Sequence, residues 1–245
     1  MDLFTHKIPF WISLLFLFAM FIPINLVASA ARRGVERAEL PVKSINMYGG
    51  IALFYALYLL YVTIACYQGL FSEVTLPPKI MLFTAFPLLL FLGGVVFNLP
   101  ITKQILAATP IENLVIIHLF RLIGTFFLIL GDYALVPPLF SIFAGFGDIA
   151  IALTSIGVYR MNLLKLPNAK TYTWLWNTAG LFDILLTSFM AFWYTKKSID
   201  EGGIGVEILT EFPFCFIPAF APATIIFLHL CIYRKFLKSH KINSK

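Results

Sequence analysis

Among the polar side chains that interrupt the long apolar runs of this 245-residue chain, His118, Arg121, Asp148, Asn177, Asp183 and His229 could do chemistry. An ionisable group inside such a run is costly in a bilayer, so it faces protein or water and takes a partner. Arg121 supplies a positive charge that does not titrate. Asp148 and Asp183 supply two carboxylates, each able to hold a cation or exchange a proton. Two negative charges against one positive leave one carboxylate in surplus. It must be protonated, or balanced by His118 or by a bound cation. This chemistry suits binding or translocation of a small solute or ion, coupled to protons. It also suits an intramembrane enzyme acting on a lipid or isoprenoid, with Asp148 or Asp183 as acid/base. A third class is a structural or partner-binding subunit whose polar core only holds helices together.

The composition dictates the frame that must position these residues. Hydrophobic residues make up 60% of the chain and charged residues 12%, with a mean hydropathy of +0.89. An ordinary soluble domain carries about 25% charged residues. The deficit excludes a soluble enzyme, a disordered chain and a nucleic-acid-binding domain. A bilayer crossing takes roughly 20 residues of helix. Apolar windows predict seven spans, near 9–30, 47–69, 79–98, 111–134, 138–159, 174–195 and 213–233. The expected fold is all-α: a polytopic membrane protein in which residues 1–245 form one bundle of seven transmembrane helices.

Local signals mark the ends of the spans. Pro9, Pro78, Pro138 and Pro213 lie near helix starts, where a missing N–H removes a donor that had no partner. Thr109-Pro110-Ile111-Glu112 reads as a capping box opening span four. Thirteen of the 18 Lys and Arg residues fall on one side: the 31–46 loop, Lys103, Arg160, Lys165, Lys170 and the tail from Arg234 to Lys245. Lys7, Lys79, Lys196 and Lys197 fall on the other, beside the acidic 196–212 loop. The positive-inside rule then places the N-terminus outside and the C-terminus in the cytoplasm, in a cell (inner) membrane. Ala28-Ser29-Ala30 resembles a signal-peptidase site, but Arg32-Arg33 directly after it favour a retained helix.

Depth turns the polar residues into a set. Arg121 lies 14 residues before the turn at Leu135 and Asp148 lies 13 after it, so two antiparallel helices bring them to nearly the same level. Asp183 falls near that plane, roughly 14 Å in from the cytoplasmic end of span six. The symmetry about Leu135 pairs Arg121 with Asp148 and leaves Asp183 as the expected unpaired carboxylate. His118, Asn177 and His229, with Asn25 as a further candidate, form a second layer nearer the cytoplasm, with His118 one turn from Arg121. Gly49-Gly50, Gly93-Gly94, Gly124, Gly145, Gly147 and Gly180 are candidates for close helix packing. Pro218 and Pro222 should kink span seven.

Phe120-Arg121-Leu122-Ile123-Gly124, Phe143-Ala144-Gly145-Phe146-Gly147-Asp148-Ile149 and Trp176-Asn177-Thr178-Ala179-Gly180-Leu181-Phe182-Asp183 together resemble a pattern in small bacterial multi-pass membrane proteins of unknown function. The ending Ile217-Pro218, Pro222, His229-Leu230 is similar to it too. The resemblance covers spans four to seven and implies no substrate. Span seven lacks the lysine that a retinal protein needs, and the chain has no Walker, HExxH or GxSxG motif. The three cysteines, Cys66, Cys215 and Cys231, show no metal spacing and read as small apolar residues. Two lone histidines do not make a bis-histidine site, so neither metal nor cofactor is expected. The expected partners are the lipid bilayer and a small solute or ion, not nucleic acid.

Overall fold

The computed structural model describes residues 7–243, with side chains as far as Leu237; Lys238, Lys241 and Lys245 of the basic tail lie outside the described side chains. Seven helices are long and apolar enough to cross a membrane: Phe10–Arg37, Ser44–Tyr67, Met81–Asn98, Ile111–Asp132, Pro138–Leu163, Ala169–Glu201 and Phe216–Leu237. They are numbered one to seven in chain order. Among the described residues there is no strand.

Several helices outrun the apolar windows because charged pairs extend their ends. Arg32 and Glu36 pair across one turn at 3.0 Å, and Lys196–Asp200 and Lys197–Glu201 repeat that spacing at the end of helix six. Such pairs stabilise a helix where lipid no longer selects for apolar residues. The expected capping box is not formed. The Thr109 hydroxyl donates back to the Ile105 carbonyl at 2.8 Å, and the helix starts at Ile111 without a side-chain cap. The connection before it is also not a simple turn. Residues Pro100–Ala108 form a short helix, whose last carbonyls, of Leu106 and Ala107, accept from the Lys235 ammonium at 2.7 and 2.9 Å. Arg234 sits 4.4 Å from the centre of the Phe97 ring. The end of helix seven thus clamps the link between helices three and four.

Helices four and seven form the centre, with 56% and 61% of their apolar windows buried against 17% for helix two. Helix five packs along helix four on one side and helix six on the other. Helix one leans on this centre through Phe16, whose ring lies 5.0 Å from both Phe126 and Phe214. At the acidic end, Lys7 pairs with Glu211 and the Cys66 thiol donates to the Thr210 carbonyl at 3.2 Å. Phe18, Phe21, Leu90 and Phe182 turn outward and are more than 60% exposed. A continuous apolar exterior of this kind is matched to hydrocarbon rather than water, and marks a multi-pass membrane protein.

Two packing expectations need correction. Nothing lies within 4 Å of where a side chain would start at Gly49, Gly50, Gly93 or Gly94. These glycines face outward, and composition alone did not separate them from the close-packed ones. Pro218 falls in the first turn of helix seven, where it costs no hydrogen bond; only Pro222 lies inside that helix.

Candidate functional site

The site begins with a local distortion. Residues His118–Gly124 of helix four wind as a 3₁₀ helix, a long run for a conformation usually limited to three or four residues. Three residues per turn align His118, Arg121 and Gly124 in one column. Gly124 ends that column against helix five: a Cβ there would lie 2.4 Å from the Asp148 Cβ. The missing side chain lets the two backbones close and brings Asp148 beside Arg121.

Arg121 is buried, with its side chain 0% exposed. Its Nε donates to Asp148 Oδ1 at 2.6 Å, and Nη1 donates to the Gly180 carbonyl at 3.1 Å. Its Nη2 donates to Asp183 Oδ2. One guanidinium therefore joins helices four, five and six, sharing its fork between two carboxylates instead of gripping one with both arms. Asp183 is not the unpaired member. It reaches Arg121 because Gly147 stands in its way with no side chain: a Cβ at Gly147 would sit 1.9 Å from Asp183 Oδ1. The formal surplus of one negative charge persists, now spread over a three-residue cluster. Neither Asp148 Oδ2 nor Asp183 Oδ1 accepts a hydrogen bond among the described residues.

The second layer is closed. Asn177 and His229 exchange two bonds: the ring Nδ1 lies 2.8 Å from Asn177 Oδ1, and Asn177 Nδ2 donates to the His229 carbonyl at 3.2 Å. His229 Nε2 faces Arg121 Nη1 at 3.5 Å. The guanidinium has only donors, so Nε2 accepts and Nδ1 carries the proton; His229 is held as a neutral ring. Gly180 makes room for it, since a Cβ there would lie 2.6 Å from the ring. The His118 ring lies 4.3 Å from the His229 ring, tilted by 34°, and meets Trp176 edge to face at 5.3 Å. Both His118 ring nitrogens are buried without a partner. Trp176 was not singled out by charge, yet it seals this layer, donating to the Ile151 carbonyl and the Thr154 hydroxyl at 3.3 and 3.1 Å. All six candidate residues are thus close together. Among the described residues no three His, Cys, Asp or Glu side chains are grouped to hold a metal ion.

On the other side of the Arg121 plane lies a cavity of 340 Å³. Its walls come from helix three (Met81, Phe86) and Ile80 just before it, helix six (Ile184, Ser188, Phe192) and helix seven (Ile217, Ala221, Pro222), with Phe127 and Phe140 also lining it. Asp148 is the ionisable residue at its inner end; Glu73, Lys79 and Glu207 stand at the loop end. No motif announced this space. It exists because helices three and six do not pack on each other, although both pack on helix seven.

An all-helical bundle with seven spanning-length helices and a buried Arg/Asp/His centre defines the class: a multi-pass membrane protein. Within that class, residues 77–237 match the model of a domain of unknown function, DUF8737. The chain belongs to that family. The match runs from the start of helix three into the end of helix seven and includes all six candidate residues. Neither a curated protein nor a solved structure matches the chain.

Proposed function

We propose that this protein binds a small, mainly apolar molecule inside the bilayer, in the cavity between helices three, six and seven. One observation carries the reading: a cavity with largely apolar walls is lined by one carboxylate of the buried cluster, Asp148. Its volume is at the lower end of the roughly 300–1,000 Å³ of small-molecule sites. The cavity opens sideways. Phe86, Phe189 and Phe192 line it and are also 45%, 61% and 43% exposed on the outer surface. A ligand therefore enters from lipid, between helices three and six. Translocation of the ligand, coupled to a proton on Asp148 or Asp183, is the finer form of this reading. It requires the closed layer around His118 and His229 to part. The Lys and Arg distribution orients the chain with its N-terminus outside and its C-terminus in the cytoplasm. A cytoplasm-dependent reporter should be active after Lys245 and silent in the 196–212 loop; the reverse result would invert the orientation.

Decanol is a suitable neutral probe for protein held in lipid nanodiscs. It should raise the unfolding temperature of the wild type and leave Ala221→Phe, whose new ring fills the cavity, unmoved. Equal shifts in both proteins would mean that the cavity is not a binding site.

The lateral opening also favours a second reading, catalysis on a lipid-like substrate with Asp148 as acid/base. Asp148→Asn still offers an oxygen to Arg121 Nε but cannot exchange a proton. A lipid product formed with the wild type and missing with Asp148→Asn would assign catalysis. Identical lipid extracts from both would remove it.

A further inference from the structure

We infer that the ligand of this cavity is a monocationic amphiphile, a protonated or quaternary amine on an apolar tail, with its ammonium against Asp148; this rests on the binding reading above. Charge decides the head group. Asp148 and Asp183 share the single guanidinium of Arg121, so with both carboxylates ionised the cluster holds a formal surplus of one negative charge, which a cationic head against Asp148 would balance. Arg121 itself does not line the cavity. An anionic head would meet Asp148, which lines the cavity, and not Arg121, which does not. The loop end has the same sign. Glu73 is matched by Lys79, while Glu207, with no cationic partner among the described residues, takes the Ser198 hydroxyl, at 2.5 Å, and the Gly205 N–H, at 3.1 Å.

The walls point the same way by a separate argument. Phe127 and Phe140 line the cavity and meet edge to face at 5.4 Å. Aromatic faces attract ammonium groups, more strongly once water is excluded. Asp148 Oδ1 is taken by Arg121 Nε, and Oδ2 accepts no hydrogen bond among the described residues, so a donor has an open partner. The tail is fixed by the opening: it leaves between Phe86 and Phe192, both on the outer surface, and lies among lipid chains.

A series with a constant tail and a changing head tests this. Decylamine, decanol and decanoate are added to wild type and to Ala221→Phe in lipid nanodiscs, and the unfolding temperature is followed. Ser188→Phe serves if Ala221→Phe fails to fold. Subtracting the filled variant removes effects of the probes on the bilayer. The expected order is decylamine first, bound about tenfold more tightly than decanol, with no shift from decanoate. Propylamine, which lacks the tail, separates the sources of the ligand. A shift as large as that of decylamine means a water-borne amine, and no shift means an amine drawn from the bilayer; either leaves the cationic class standing. Equal binding of decanol and decylamine, or preference for decanoate, overturns the cationic class while the cavity remains a site. No difference between wild type and the filled variant for any probe overturns the binding reading itself.

Discussion

Toward the basic end of the bundle, the plane of Arg121 rests on a closed layer in which His118, Asn177 and His229 are each 0% exposed and Trp176 lies across them. Toward the acidic end, the same plane borders an apolar cavity that meets only one member of the cluster, Asp148. The two sides use polar chemistry differently. On the closed side, Asn177 and His229 bond each other across helices six and seven, and the Trp176 indole bonds Ile151 and Thr154 across helices six and five. On the open side, Asp148 keeps an oxygen without a hydrogen bond. The difference teaches that a buried charged cluster need not be enclosed on every side: Arg121 serves the packing while one of its partners, Asp148, lines a cavity.

Removing Arg121 should break both sides at once. Arg121→Ala strands two carboxylates, and the expected loss is on the order of 3–5 kcal/mol, read by denaturant or thermal unfolding in detergent. Because Arg121 bonds both aspartates, rescue needs all three charges replaced, as in Arg121→Met with Asp148→Leu and Asp183→Leu. Rescue by Arg121→Met with Asp148→Leu alone would mean that Asp183 does not depend on Arg121. The next effect belongs to the seam between the sides. Gly124→Ala places a methyl group 2.4 Å from the Asp148 Cβ, which a side-chain rotation cannot relieve, so helices four and five must part. Overpacking of this kind costs about 1–3 kcal/mol or more, and hydrogen exchange should report it first in those two helices.

The two histidines sharpen the contrast within the closed layer. His229→Phe leaves Asn177 without its ring partner and should cost about 1–3 kcal/mol. His118→Phe removes two nitrogens that have no partner, so its unfolding temperature should equal or exceed that of the wild type. A loss at His118 as large as at His229 would show that the His118 ring holds a bond of its own. The smallest effect compares two positions on helix seven. Ala223 is 1% exposed in packed core, and Ala223→Leu should cost about 1–3 kcal/mol. Ala221 lines the cavity, and Ala221→Leu should change stability by less than about 1 kcal/mol. Equal losses would mean that the space between helices three and six is not open in the folded protein.

Depth was legible before any coordinates; direction around each helix was not. Counting outward from Leu135 at the α-helical rise brings Arg121 and Asp148 to one level, and they meet at 2.6 Å. A separate count from the cytoplasmic end of span six brings Asp183 near that plane but leaves it without a partner. Which way Arg121 points depends on the 3₁₀ winding of His118–Gly124, and no residue in that stretch advertises it. Glycines were equally ambiguous. Gly147 and Gly180 permit contacts that any side chain would block, while Gly93 and Gly94 touch nothing, and only the neighbouring helix distinguishes them. The cavity left no trace in the sequence because it comes from two helices that fail to meet.

The tight winding of helix four also has a mechanical meaning. A 3₁₀ helix rises about 2.0 Å per residue and an α-helix about 1.5 Å. Over the seven residues His118–Gly124 the stretch is therefore about 3.5 Å longer than its α-helical form, and about 140° further wound. Its geometry is that of a threaded joint between the two ends of the helix. Relaxing the thread would draw the ends together and swing Arg121 out of line with His118, so a change in pitch on one side of the bilayer would be felt as rotation and travel on the other.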